Sequence, residues 1–143
     1  MKIQDLISWY NNLSPSSLTH LKVLYDEGAR FRDPFNDVCG HDAIIAVFEH
    51  MYEQCDDPGF QVSEHQVDGS VAWVSWVFQL NLHNKPIKIP GTTRFEFGED
   101  GRVIDHRDYW DSADLLVEFP MLGSIIRYTR KRLSLSDQQR FCK

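Results

Sequence analysis

The chain has 143 residues, a size typical of one domain, which excludes a two-domain enzyme. With 42% hydrophobic and 13% aromatic residues it can bury a substantial core, and disorder is excluded as its dominant state. Its 15 basic and 21 acidic side chains leave a net charge of −6, the wrong sign for broad contact with phosphate backbones, so nucleic acid is set aside as a partner.

From the N-terminus, Ile3, Leu6, Ile7 and Tyr10 recur at helical spacing and predict a short amphipathic helix over residues 3–12. Lys2, Asp5 and Trp9 interrupt any apolar run of the secretory kind, and no stretch approaches the ~18 apolar residues of a membrane span. The expectation is a cytoplasmic protein with no membrane partner. Ser14-Pro15 suits the start of a second helix, with Leu18, Leu21, Val23, Leu24 and Tyr25 on its buried side. Ala29 to Pro34 predicts a short strand running into the turn-rich Phe35-Asn36-Asp37. Gly40 and Asp42 open a third helix whose stripe is Ile44, Ile45, Val47, Phe48, Met51 and Tyr52, ending near Asp57-Pro58-Gly59.

The period then changes to two. Residues 60–67, 70–82, 86–97 and 102–111 are β-branched or aromatic runs separated by Asp68-Gly69, His83-Asn84 and Glu99-Asp100-Gly101, the punctuation of consecutive hairpins in an antiparallel meander. Beyond Asp111 the helical period returns, with Leu122, Ile125, Ile126, Thr129 and Leu133 on one side of a last helix. This stretch is basic, since Arg127, Arg130, Lys131, Arg132, Arg140 and Lys143 outnumber Asp114, Glu118 and Asp137, and it is expected to pack back on the acidic remainder or on a second subunit. Cys39, Cys55 and Cys142 are widely spaced without a C-x-x-C pair and read as reduced thiols. Three helices on one face of a strongly curved antiparallel sheet make a cone-shaped α+β fold with an apolar interior, which predicts a hydrophobic pocket.

At Asp33-Pro34, and again along Gly101-Arg102-Val103-Ile104-Asp105-His106-Arg107-Asp108-Tyr109-Trp110-Asp111, the chain resembles the nuclear-transport-factor-2-like superfamily. More narrowly, it is similar to the branch of ketosteroid isomerases, SnoaL-like polyketide cyclases and limonene epoxide hydrolases. The resemblance covers roughly residues 1–118 and leaves 119–143 as a helical extension of the same structural unit. It implies Asp33 as a general base and Tyr10 as a hydrogen-bond donor to a dienolate oxygen. Thr93 falls where a ketosteroid isomerase has a protonated aspartic acid, which argues against steroid isomerisation. The arginine and second aspartate of an epoxide hydrolase are replaced by Ser75 and Val77, which argues against that reaction. A SnoaL-like cyclase needs chiefly one acid-base group in an apolar chamber, and Asp108 or Asp33 with His106 satisfies this.

Period two puts Ile104, His106, Asp108 and Trp110 on one face of the last strand, and Ile87, Ile89, Gly91, Thr93, Phe95 and Phe97 on one face of the preceding strand. A carboxylate in an apolar chamber is disfavoured in its charged form, which brings it towards the working range of a general base or acid. The candidate catalytic residues are therefore Asp33, Asp108, His106 and Tyr10, with Thr93, Trp110, Phe95 and Phe31 as substrate-binding residues. His106-x-Asp108 has no third ligand beside it, so no metal is expected, and the chemistry needs no cofactor. Asp33 before Pro34 equally suits a turn former, and Tyr10 a core residue. Two functions fit: a cofactor-independent isomerase, cyclase or lyase acting by proton transfer on a small hydrophobic carbonyl compound, or a non-catalytic binding protein for an apolar metabolite. In either case the open sheet face predicts a homodimer.

Overall fold

The computed structural model describes residues 3–135, so the expectations for Cys142 and for the charged residues Asp137, Arg140 and Lys143 lie outside the described residues. The chain forms two compact units, Met1–Trp110 and Asp111–Lys143.

In the first unit, helix α1 (Ile3–Asn11) buries Leu6, Trp9 and Tyr10, the side that its spacing predicts. The second predicted helix is not continuous. A 3-10 turn, Pro15–His20, leads into a single α-turn, α2 (Leu21–Leu24), and Tyr25 already begins strand β1 (Tyr25–Arg32). Ser14, Ser16, Ser17 and Thr19 compete for local backbone hydrogen bonds, as where the Ser14 amide donates to Ser17 Oγ at 3.0 Å, and so resist a full α-helix.

Strand β1 turns back through residues 33–36 into a strand absent from the sequence reading, β2 (Asp37–Cys39), which pairs with it antiparallel. Gly40, at φ 92°, then turns the chain into helix α3 (His41–Gln54), which buries Ile44 and Phe48. Strands β3 (Asp56–Asp68), β4 (Val71–Leu82), β5 (Lys85–Phe97) and β6 (Val103–Tyr109) follow as the expected antiparallel meander. Between β4 and β5, His83 and Asn84 both adopt positive φ, 51° and 63°, as a two-residue type I′ hairpin turn requires.

These strands form one curved, unclosed sheet in the order β2-β1-β6-β5-β4-β3. The sheet is mixed, because β1 lies parallel to β6, with Phe31 opposite His106 and Arg32 opposite Arg107. A parallel neighbour requires a long crossover, here everything from β2 to β5, and this pairing joins the two ends of the unit.

The expected inward face of β5 is buried at Ile87, Ile89, Thr93, Phe95 and Phe97, and β4 buries Ala72, Val74, Trp76 and Leu80. One expectation fails on β6. Ile104 is 38% exposed while Val103 is fully buried, because the pairing slips between Glu96 opposite Asp105 and Phe97 opposite Val103, leaving Ile104 as an extra residue. Helices α1 and α3 pack on the sheet, and their buried side chains join those of β1, β4, β5 and β6 in a single core.

In the second unit, α4 (Ala113–Leu116) and α5 (Pro120–Leu133) form a helical hairpin. Gly123 lies so close to the Val117 carbonyl that a Cβ there would come within 2.1 Å of its oxygen. Arg130 bonds to Asp111 and Asp114, and Arg127 to the Val117 carbonyl. The hairpin therefore uses the polar side of α5, and Met121, Ile125, Tyr128 and Leu133 are exposed. Among the described residues no helix is long and apolar enough to cross a membrane.

Candidate functional site

Among the described residues, the buried polar side chains other than tyrosine and tryptophan are Thr93 and His106, and both belong to one connected set. On β6, residues two apart share a face, so the imidazole of His106 and the carboxylate of Asp108 both project to the core side. His106 Nε2 lies 2.7 Å from Asp108 Oδ1. Thr93, the register partner of Asp108 on β5, donates its hydroxyl proton to the same oxygen at 2.5 Å. Trp76 on β4 donates its indole N–H to Thr93 Oγ1 at 2.8 Å.

On the other side of the imidazole, Nδ1 is 2.8 Å from the Tyr25 hydroxyl and 3.4 Å from that of Tyr10, and the two hydroxyls are 2.8 Å apart. A carboxylate accepts only, so His106 donates from Nε2. In the neutral imidazole Nδ1 then accepts from Tyr25, and Tyr25 accepts from Tyr10. This orientation gives every donor in the chain Tyr10, Tyr25, His106, Asp108, Thr93, Trp76 an acceptor. Burial, above all, raises both tyrosines well above the ordinary phenol range, and the negative charge of Asp108 adds to the effect. Both hydroxyls thus remain protonated donors.

Aromatic rings surround the imidazole. Phe31 lies 4.4 Å from the His106 ring, and Phe95 meets it edge-on at 4.8 Å. Tyr10, Phe48, Phe60, Trp76, Thr93, Phe95 and Asp108 line an enclosed cavity of about 20 Å³. This leaves room for about one water molecule. The large aromatic side chains that suggested a chamber also fill it.

The remaining candidates lie elsewhere. The Asp33 carboxylate is held by its own turn, where Oδ1 accepts the amides of Phe35 and Asn36 at 2.7 Å and the Asn36 side chain at 3.1 Å. Asp33 and Trp110 line a surface groove of about 610 Å³, formed by Arg32, the turn that follows β1 and residues 107–110. Trp110 packs edge-on against Phe35 there, at 5.6 Å. Phe31 and Phe95 both buttress the imidazole, and of the two only Phe95 reaches the cavity.

Tyr25 and Trp76 complete the chain but were not singled out from the sequence. Tyr25 continues the apolar spacing of the preceding helical segment, which hides its place on a strand. Trp76 carries a faint signal: across the ladder it faces Gly91, the one small residue on the inward face of β5. Among the described residues no cluster of three or more histidine, cysteine, aspartate or glutamate side chains could hold a metal ion.

A SnoaL-like domain family matches residues 7–106 of the chain. No curated protein sequence matches it significantly. Among solved structures, a hypothetical protein with a ketosteroid isomerase-like fold from Catenulispora acidiphila, in complex with trimethylamine, is similar at TM-score 0.69 and 12% identity, over 81% of this chain and 89% of that one. A candidate SnoaL-like polyketide cyclase from Jannaschia sp. CCS1 gives 0.71 at 16% identity, over 82% and 92%. An NTF2-like protein of unknown function from Burkholderia pseudomallei gives 0.70 at 17%, over 80% and 93%. At these identities the likeness is one of fold.

Proposed function

The chain belongs to the SnoaL-like domain family, and from that premise we propose that it transfers a proton on a small hydrophobic carbonyl compound, with Asp108 as the base and then the acid. The observation that carries this reading is the setting of Asp108. Thr93 and His106 both bond its Oδ1, which fixes the carboxylate in an aromatic cavity, and among the described residues Oδ2 has no hydrogen-bond partner. Oδ2 takes a proton from the carbon beside the substrate carbonyl, the electron pair moves onto the carbonyl oxygen, and the same proton returns to a second carbon.

The Tyr10 hydroxyl is the donor for that developing oxyanion. It stands at the free end of the hydrogen-bonded chain, so re-aiming its proton from Tyr25 to the substrate strands no other donor. The single proton of Thr93 is already directed at Asp108, so Thr93 positions the base. His106 does the same from the opposite side. No step in this sequence calls on a metal or organic cofactor.

The cavity of about 20 Å³ admits a carbonyl substrate only when Phe60, half-buried on β3, moves aside. The trimethylamine in the complex of one relative of this fold, with four heavy atoms, would need the same movement here. The apolar lining also favours a second reading, in which the enclosure binds an apolar metabolite without turnover. Both readings take the protein as cytoplasmic and as a homodimer, the latter supported by the apolar outer side of β4, where Trp73 is 41% exposed.

Deuterium exchange at the α-carbon of cyclohexanone in D₂O, followed by proton NMR, tests the proposal without knowledge of the natural substrate. The protein is expected to accelerate exchange, and Asp108→Asn to lower that acceleration by about 10²–10⁴-fold. Equal rates with both proteins would overturn it. Thermal stabilisation by cyclohexanone that survives in Asp108→Asn, without exchange in either protein, would establish the binding reading.

A further inference from the structure

The outer face of the sheet carries a row of like charges that the proposed proton transfer does not use. Arg32 on β1 is paired in register with Arg107 on β6, and Arg107 with Arg94 on β5. Their strand neighbours Phe31, His106 and Phe95 point into the core, so all three guanidinium groups leave the opposite face. Like charges directly across a ladder are destabilising, and three in succession call for compensation. Acids supply it at the two ends of the row. Asp105 bonds Arg32 through both oxygens at 3.1 Å and lies 3.8 Å from Arg94, while Glu96 is 3.2 Å from Arg94.

Arg107, the middle member, has no acid within ion-pair distance among the described residues. Its guanidinium instead lies 4.9 Å above the ring of Tyr109. It borders the groove of about 610 Å³, a size suited to a small molecule, whose walls include Tyr109, Trp110 and Pro34. The acids of that groove each have partners other than Arg107. Asp33 accepts the amides of its turn, both oxygens of Asp37 are bonded by Arg30 at 2.8–2.9 Å, and Asp108 Oδ1 faces His106 and Thr93. The Asp37 carboxyl is held below its ordinary range by Arg30 first, with Arg32 and Arg107 adding to the effect.

We propose that this groove binds a small carboxylate with a planar aromatic body, its two oxygens on the guanidinium of Arg107 and its ring against Tyr109 and Trp110. One unengaged guanidinium offers one fork, which matches the two oxygens of a carboxylate. Arg32 and Arg94 share Asp105 and leave no second fork for a phosphate dianion. Arg32 Nε, buried without a partner, adds to the local need for an acceptor.

Benzoate is the probe, with binding followed by calorimetry and by tryptophan fluorescence, and with benzamide as its uncharged isostere and inorganic phosphate as the second anion. Saturable benzoate binding is expected, at least tenfold weaker in Arg107→Gln, with benzamide and phosphate at least tenfold weaker than benzoate. Without any anion, Arg107→Gln is expected to melt at a higher temperature than the parent protein, because it breaks the arginine row. No benzoate binding at millimolar concentration, equal affinity in Arg107→Gln, or equal binding of benzamide would overturn the proposal. Phosphate binding as tight as benzoate would overturn the carboxylate assignment. If Arg107→Gln converted a dimer to a monomer in sedimentation and benzoate had no effect, the row would be a subunit interface and the ligand site would fall. None of these results depends on whether Asp108 exchanges protons.

Discussion

Trp76 lies across Gly91 on the adjacent strand, so close that a Cβ at Gly91 would sit 2.3 Å from the indole ring. The missing side chain lets the indole lie flat on the β5 backbone, and from there Nε1 reaches Thr93 Oγ1 two residues along. The small residue is therefore what places the last donor of the chain that ends at Asp108.

Gly91→Ala is expected to push the indole off the strand and to destabilise the protein by about 1–3 kcal/mol, the usual range for overpacking a core. Urea unfolding measures the loss. A shift of the tryptophan emission, as one indole changes its hydrogen bonding, reports its cause. A variant as stable as the parent and with unchanged emission would show that the ring is not confined in this way.

Tyr25 and Tyr10 occupy successive places in the same chain, and their removal should not cost the same. Tyr25→Phe takes away the donor 2.8 Å from His106 Nδ1 and leaves only Tyr10, at 3.4 Å. A buried acceptor without a good donor costs about 1–3 kcal/mol. Tyr10→Phe removes the terminal donor and leaves the bond from Tyr25 to His106 in place, so the smaller loss is expected. Equilibrium unfolding of the two variants decides the order, and an equal or reversed order would contradict the direction assigned to the chain.

The same two hydroxyls set a pH dependence. Both phenols ionise far above their ordinary value of 10.0 in the folded protein, chiefly through burial. A folded-state value above the unfolded one contributes stability that is fully present below about pH 10 and declines as the unfolded chain ionises above it, by up to about 1.4 kcal/mol per pH unit for each group. Urea unfolding from about pH 9 to pH 11 should therefore show falling stability, and Tyr25→Phe should reduce the slope. An unchanged slope would mean that Tyr25 is not protected from ionisation.

What was legible beforehand follows the reach of each signal. Alternation along β5 is local, so the inward placement of Thr93 and Phe95 could be read directly, and on β6 the same period put His106 and Asp108 together. It failed at Ile104, because a bulge depends on the partner strand as much as on its own. The pairing of β1 with β6 joins residues distant in sequence, and nothing local announces it. That pairing is what carries Tyr25 to His106, so the tyrosine side of the site could not be assembled from patterns alone. The size of the cavity was equally hidden, since apolar residues describe both a chamber and its filling.

Asp33 and Asp108 were equal candidates for the base on sequence grounds, and their surroundings now separate them. Asp33 caps its own turn with Oδ1 shared between two backbone amides and the Asn36 side chain, whereas Asp108 faces an aromatic cavity. Asp33→Ala should loosen the turn between β1 and β2 and cost about 0.5–2 kcal/mol, in the range of a lost side-chain cap. It should leave cyclohexanone exchange within about twofold of the parent, because the turn touches neither Asp108 nor Tyr10 through any hydrogen bond described above. Thermal unfolding and the exchange assay on the same preparation separate the two effects. A stable Asp33→Ala protein that has lost exchange would transfer the role of base from Asp108 to Asp33.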